Sequence, residues 1–233
     1  MVSMTASHGH SLKQRTDIWK SLWPVLEKHY KREKTFLNHN NVWELLIAVI
    51  LSAQTTDNGV NKITPALFKK YPTPQHLMNA DVQDVSKIIH SIGHYNAKAR
   101  YIQATATRIV QEFNGHVPND EASLRTLPGV GRKTAVVVLA NGFNQHVGIA
   151  VDTHVIRFAH RFGLSDHKNP DKIERDLVQV IPQYLWTRAS YAIKEYGRKE
   201  GKAAGYKEEL DPLWKAFIQH QKRLEEKQKA RDR

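Results

Sequence analysis

Leu127-Pro128-Gly129-Val130-Gly131-Arg132-Lys133-Thr134-Ala135 is the stretch on which the reading of this chain turns. Two glycines one residue apart let the backbone turn sharply and keep side chains away from whatever approaches it. A helix starts behind the second glycine, so its unpaired amide groups and the positive end of its dipole point outward together. That arrangement suits a phosphate and reads no base sequence. Gly129, Val130, Gly131, Arg132 and Thr134 are the candidate contacts, with Val130 anchoring the hairpin to the core. An ordinary Pro-Gly turn between two helices is the plainer alternative. Lys133, taken alone, reads as a cation set against the same phosphate.

Outward from the hairpin, nearly every apolar segment has helical spacing. Glu121 to Leu127 reads as a short helix stopped by Pro128-Gly129, and Arg132 to Phe143 as the next. Val136-Val137-Val138 has strand propensity, but the helix start directly before it decides for helix. Downstream, Asp152 caps a helix over Thr153 to Phe162, and Pro170 to Val180 and Gln183 to Tyr196 follow. Upstream, Ile18, Leu22, Val25, Leu26 and Tyr30 form one stripe, after a Met1 to Thr16 segment expected to be frayed. Trp43 to Ala53 is apolar almost throughout and should be buried on most sides. Asp57 is the expected cap of a helix carrying Val60, Ile63, Leu67 and Phe68. Asp81 opens another helix, ended by Gly93, and Ala97 to Phe113 ends at Asn114-Gly115. The expected fold class is all-α, with roughly ten helices and short connections.

Lysine and arginine outnumber aspartate and glutamate by 35 to 23 in 233 residues, a formal charge of +12 that points to a polyanionic partner. The 40% apolar content supports a folded core. No apolar run reaches the ~18 residues of a membrane helix, and the N-terminus lacks a secretory h-region. A cytoplasmic location is expected, nucleoid-associated in a prokaryote. There are no cysteines, which excludes disulfides, thiolate nucleophiles and cysteine-held metal centres.

Three motifs carry a resemblance to a known family. The hairpin followed by Ile149-Ala150-Val151-Asp152-Thr153-His154 is similar to the signature of the endonuclease III branch of helix–hairpin–helix DNA glycosylases. Leu45-Leu46-Ile47-Ala48-Val49-Ile50-Leu51-Ser52-Ala53-Gln54-Thr55-Thr56-Asp57 resembles a second distinctive stretch, and Ile92-Gly93-His94-Tyr95-Asn96-Ala97-Lys98-Ala99 a third. The likeness runs from about Val42 to Arg198. It implies two helical lobes with a DNA-binding cleft between them. Residues 35–146 would form a six-helix barrel carrying the hairpin at 127–135. Residues 1–34 with 147–218 would form the second lobe, and 219–233 a charged tail.

The resemblance implies a bifunctional DNA glycosylase and AP lyase of base excision repair, acting as a monomer on duplex DNA with damaged bases, oxidised pyrimidines first, or abasic sites. It gives Lys133 the nucleophile's position and Asp152 that of the catalytic carboxylate. An amine attacking C1′ forms a Schiff base, which acidifies the C2′ proton and permits β-elimination of the 3′-phosphate. A carboxylate stabilises the positive charge that develops on the sugar. Lysine must be neutral to attack, against an ordinary pKa of about 10.4, and a first-turn position in a helix opposes its charge. Asp152 is also a good N-cap, a role compatible with catalysis because capping favours the ionised form. His154 is expected to serve structure or a phosphate contact. Metal binding is not expected, since no second ligand stands at i+4 in its helix.

A target base must leave the stack before this chemistry. Gln54 matches the family position that fills the vacated space, and His94 stands where the family commonly has an aliphatic wedge. Two alternatives stand beside this reading: a monofunctional glycosylase, and a non-catalytic helix–hairpin–helix DNA-binding protein. The largest departure follows Tyr196-Gly197-Arg198, where the family usually has four cysteines holding an iron–sulfur cluster. Here Gly201-Lys202-Ala203-Ala204-Gly205-Tyr206 occurs instead, so no cofactor is expected. Leu210, Leu213, Trp214 and Phe217 are expected to replace the cluster by packing.

Overall fold

The computed structural model describes residues 9–200 and 208–231; Gly201 to Tyr206 lies outside them. Among the described residues the regular elements are all helical. The α-helices in chain order are α1 (Leu12–His29), α2 (Val42–Leu51), α3 (Asp57–Lys70), α4 (Pro74–Met78), α5 (Val82–Ile89) and α6 (Tyr95–Glu112). They continue with α7 (Glu121–Thr126), α8 (Arg132–Gly142), α9 (Thr153–Arg161), α10 (Pro170–Val180), α11 (Trp186–Lys199) and α12 (Pro212–Arg231). None is long and apolar enough to cross a membrane.

Side-chain caps set many of these boundaries. Ser11 accepts from the Gln14 amide while the Gln14 side chain accepts from the Ser11 amide, a capping box that orders the Leu12 to Thr16 turn expected to fray. Thr56, not Asp57, caps α3: its hydroxyl accepts from the Gly59 amide at 3.1 Å, and Asp57 is already helical. The valine triplet lies inside α8, as the preceding start signal requires. The five-residue α4 was not anticipated, although Thr73-Pro74 supplies both its cap and its first-turn proline.

Thr35–Val147 forms one compact unit, and the described residues before and after it form another. In the first, α2 is the spine: Trp43 to Leu51 are all buried, against side chains from α3, α6 and α8. Gly142 lets α8 come close, since a Cβ there would sit 2.9 Å from Val42 Cγ1. The Trp43 indole N–H is buried without a hydrogen-bond partner.

The second unit packs Ile18, Leu22 and Leu26 of α1 against Phe158, Phe162, Leu177 and Ile193, with Trp19 stacked on Trp23 at 5.3 Å. Leu213 and Phe217 of α12 are fully buried there, and Phe217 meets Phe162 edge-on at 5.5 Å. Leu210, expected with them, is 66% exposed, because it precedes Pro212 and the start of α12. The buried Asp211 takes its place at the joint. Its carboxylate accepts from the Tyr196 hydroxyl at 2.6 Å and from the Leu213 amide at 2.8 Å. Arg161 lies 3.9 Å from the same carboxylate, with its guanidinium 4.7 Å above the Trp214 ring. Beyond Ile218, α12 continues as an exposed helix of mixed charge.

Candidate nucleic-acid interface

The hairpin is held from three sides within its unit. Gly129 has φ +78°, the left-handed region, and an added Cβ would stand 3.1 Å from Ile50 Cγ2 and 3.4 Å from Tyr101 Cβ. The Thr105 hydroxyl donates to the Pro128 carbonyl at 2.8 Å, and the Val130 amide to the Leu127 carbonyl at 3.1 Å. Val130 itself is buried, so its side chain faces the core. At Gly131 a Cβ would meet nothing within 4 Å, which leaves the backbone open to approach. The first closing bond of α8 runs from the Ala135 amide to the Gly131 carbonyl at 3.0 Å. The amides of the first turn precede it, and Lys133 stands exposed among them with Thr134 half-buried beside it.

Arg132 also has partners within its own unit. Its guanidinium pairs with Glu121 at the start of α7 and donates to the Val147 carbonyl at 3.0 Å. It braces the two ends of the hairpin segment, with the side chain still partly exposed.

Gln54 and His94 are both exposed, and the unit brings their loops together. Both are non-glycine residues in the left-handed region, at φ 53° and φ 57°. A Cβ on Gly93 would lie 3.9 Å from the Gln54 carbonyl. Thus the Gln54 loop, the His94 loop and the hairpin gather where α2 ends and α6 begins.

Asp152 and His154 belong to the other unit. Asp152 Oδ1 accepts from the amides of His154 at 2.9 Å and Val155 at 3.0 Å, the capping geometry its sequence position called for. His154 is half-buried, and Arg157 donates to its Nδ1 at 3.0 Å. Burial lowers the imidazole pKa below its ordinary value, partly offset by Asp152 and reinforced by the cations Arg157, Arg198 and Lys194. Gly197 of α11 presses on this ring: a Cβ there would overlap Nδ1 and lie 2.9 Å from Cγ.

Residues 47–183 match the family model described as HhH-GPD superfamily base excision DNA repair protein. Endonuclease III of Synechocystis sp. is 47% identical over 174 residues, covering 75% of this chain and 80% of that protein. The chain belongs to the endonuclease III family. It is therefore a DNA glycosylase and AP lyase of base excision repair. Endonuclease III of Escherichia coli K12 is 43% identical over 157 residues, covering 67% of this chain and 74% of that protein. A solved structure of a trapped endonuclease III–DNA covalent intermediate, with an estranged adenine, superposes with a TM-score of 0.82 at 36% identity. It covers 93% of this chain and all of that one. A non-covalent endonuclease III–DNA complex gives the same score at 37% identity.

The iron–sulfur cluster usual in this family does not fit the residues present. There is no cysteine to supply a thiolate, and no group of three or more His, Cys, Asp or Glu among the described residues could hold a metal. The rings of Phe162, Trp214 and Phe217 instead close α12 onto its unit.

Sequence reasoning missed three residues that support the site. Gly197 limits the space of His154, and Tyr101 walls the Gly129 turn. Lys98 was seen only as part of a motif, yet it is 4% exposed and its ammonium donates to Thr55 Oγ1 at 2.7 Å. A lysine three residues into a helix carries no local sign of burial.

Proposed function

We propose that this enzyme removes damaged pyrimidines, oxidised ones among them, from duplex DNA and cleaves the strand 3′ to the abasic site through a Schiff base on Lys133. The observation that carries the reading is the exposed amine of Lys133 in the first turn of α8, directly behind a glycine whose backbone is open. The hairpin amides of Gly129, Gly131 and the first turn of α8 take a DNA phosphate and fix the strand. Lys133 attacks C1′, the base departs, and loss of the C2′ proton expels the 3′-phosphate. Asp152, its carboxylate held in place by two backbone donors, stabilises the positive charge on the sugar. His154 lends its amide to that cap and its ring to a neighbouring phosphate. Gln54 and His94 fill the space that the target base leaves. The charge of +12 favours the polyanion and supports a place beside the chromosome. The enzyme acts as a monomer, without a cluster.

Borohydride trapping on duplexes containing an abasic site or an oxidised pyrimidine tests this. Wild type forms a covalent adduct, Lys133→Gln forms none, and Asp152→Asn forms it far more slowly. Tight duplex binding by wild type without any adduct would leave a DNA-binding module and defeat the lyase mechanism.

A further inference from the structure

We propose that Lys98 is a positioning residue that locks the Gln54 and His94 loops into a single wedge, a role resting on the reading of those two side chains as the DNA-inserting pair. Lys98 reaches both loops at once. Its amide donates to the His94 carbonyl at 3.0 Å, and its Nζ donates to the Thr55 hydroxyl at 2.7 Å, one residue past Gln54. No other contact described in this unit joins the two loops by hydrogen bonds.

The setting is costly for a lysine. The residue is 4% exposed, and burial alone lowers its pKa, with no carboxylate contributing. A buried ammonium whose one described side-chain partner is a hydroxyl opposes folding, and a methionine would fill the same volume without that penalty. The hydroxyl bond gives direction in return. Gln54 and His94 both hold left-handed backbone at non-glycine positions, and such conformations persist only where surrounding contacts over-determine them. Thr55 cannot swing without breaking the 2.7 Å bond, and Gln54 is tied to Thr55 by one peptide. Its burial keeps the Lys98 amine from reaching a sugar carbon, so it positions the wedge and leaves the chemistry to other groups.

The test uses the full chain and a duplex in which a tetrahydrofuran abasic analogue faces 2-aminopurine, whose fluorescence rises when it leaves the stack. Wild type raises the signal. Thr55→Val and Lys98→Met each remove most of the rise and slow borohydride trapping on an abasic duplex about tenfold, the size of one hydrogen bond to a charged donor. Thr55→Ser, which keeps the acceptor, recovers both. The double variant is no worse than either single, because the two changes break the same link. The trapping deficit largely disappears when the abasic site faces a second abasic residue, where no base has to be held apart. A full fluorescence rise in Thr55→Val, additive losses, or an equal deficit on both duplexes would overturn the proposal. A wild type that never raises the signal would instead remove the inserting pair itself, whatever Lys98 does.

Discussion

Replacing Gly197 by alanine adds one carbon inside α11, at a point where the neighbouring side chain leaves no room. The new Cβ would overlap His154 Nδ1, with Cγ at 2.9 Å and Cβ at 3.0 Å, so the whole root of the imidazole must move. Overpacking of this kind costs about 1–3 kcal/mol. Alanine in a helix interior recovers roughly 1 kcal/mol relative to glycine. The net is a loss of roughly 1 kcal/mol, visible as a lower urea midpoint at unchanged m. In a His154→Ala background the ring is gone and only the Cβ at 3.0 Å remains, a contact that a shift of a few tenths of an ångström relieves, so the same change should stabilise by up to roughly 0.5 kcal/mol. The sign reversal is the signature of the contact, and a double-mutant cycle reads it directly. The effect on chemistry should exceed the effect on stability. The His154 amide is one of two donors to Asp152, and displacing it tilts the carboxylate. Trapping is expected to slow by roughly one to two orders of magnitude, as for other displacements of about 1 Å at a reacting group. A single Gly197→Ala variant as stable as wild type, with His154 in place, would refute the reasoning.

Arg132→Met should weaken duplex binding by loosening the hairpin while leaving the slope of log affinity against log salt unchanged. A direct phosphate contact would instead lower that slope by about one, so binding at several salt concentrations separates the two roles. Trp214→Ala should destabilise the chain by about 2 kcal/mol in urea unfolding, less than a fully buried tryptophan because the ring is half-exposed. His154→Gln should flatten the dependence of stability on pH below 6.5, the ordinary histidine value. Burial lowers the folded-state pKa, so as pH falls past 6.5 the unfolded chain takes the proton first and stability is lost down to the folded value. The wild-type curve should therefore bend downward there more than the variant's; parallel curves would count against the shift.

What was legible from sequence is what local chemistry decides. Gly131 before α8, Asp152 before α9 and Pro170 at the first position of α10 announce helix starts through caps and fixed dihedrals, and those starts lie where they were expected. The left-handed turn at Asn114-Gly115 follows from the same kind of signal, with φ 53° and φ 79°. The motifs that carried the family resemblance join buried helix, such as Leu45 to Leu51 of α2, to exposed turns at Gln54, His94 and Gly131. What escaped was decided by partners distant in sequence. The pairing of Arg132 with Glu121 has no local signal in the sequence. Leu210 fits an apolar stripe by spacing, but Pro212 starts the helix later and turns that leucine outward. Lys98 and Gly197 gain their meaning from Thr55 and His154, and neither pairing has a period or a cap to reveal it.

The five tryptophans are divided unevenly. Trp19, Trp23, Trp186 and Trp214 pack in the unit built from the chain ends, and Trp43 stands alone in the unit that carries Lys133. A Trp43→Phe variant would therefore emit only from the terminal unit, and its difference from wild type would report the hairpin-bearing unit alone. One substitution turns intrinsic fluorescence into two separate optical channels, through which the melting of each unit can be followed in the same unlabelled protein.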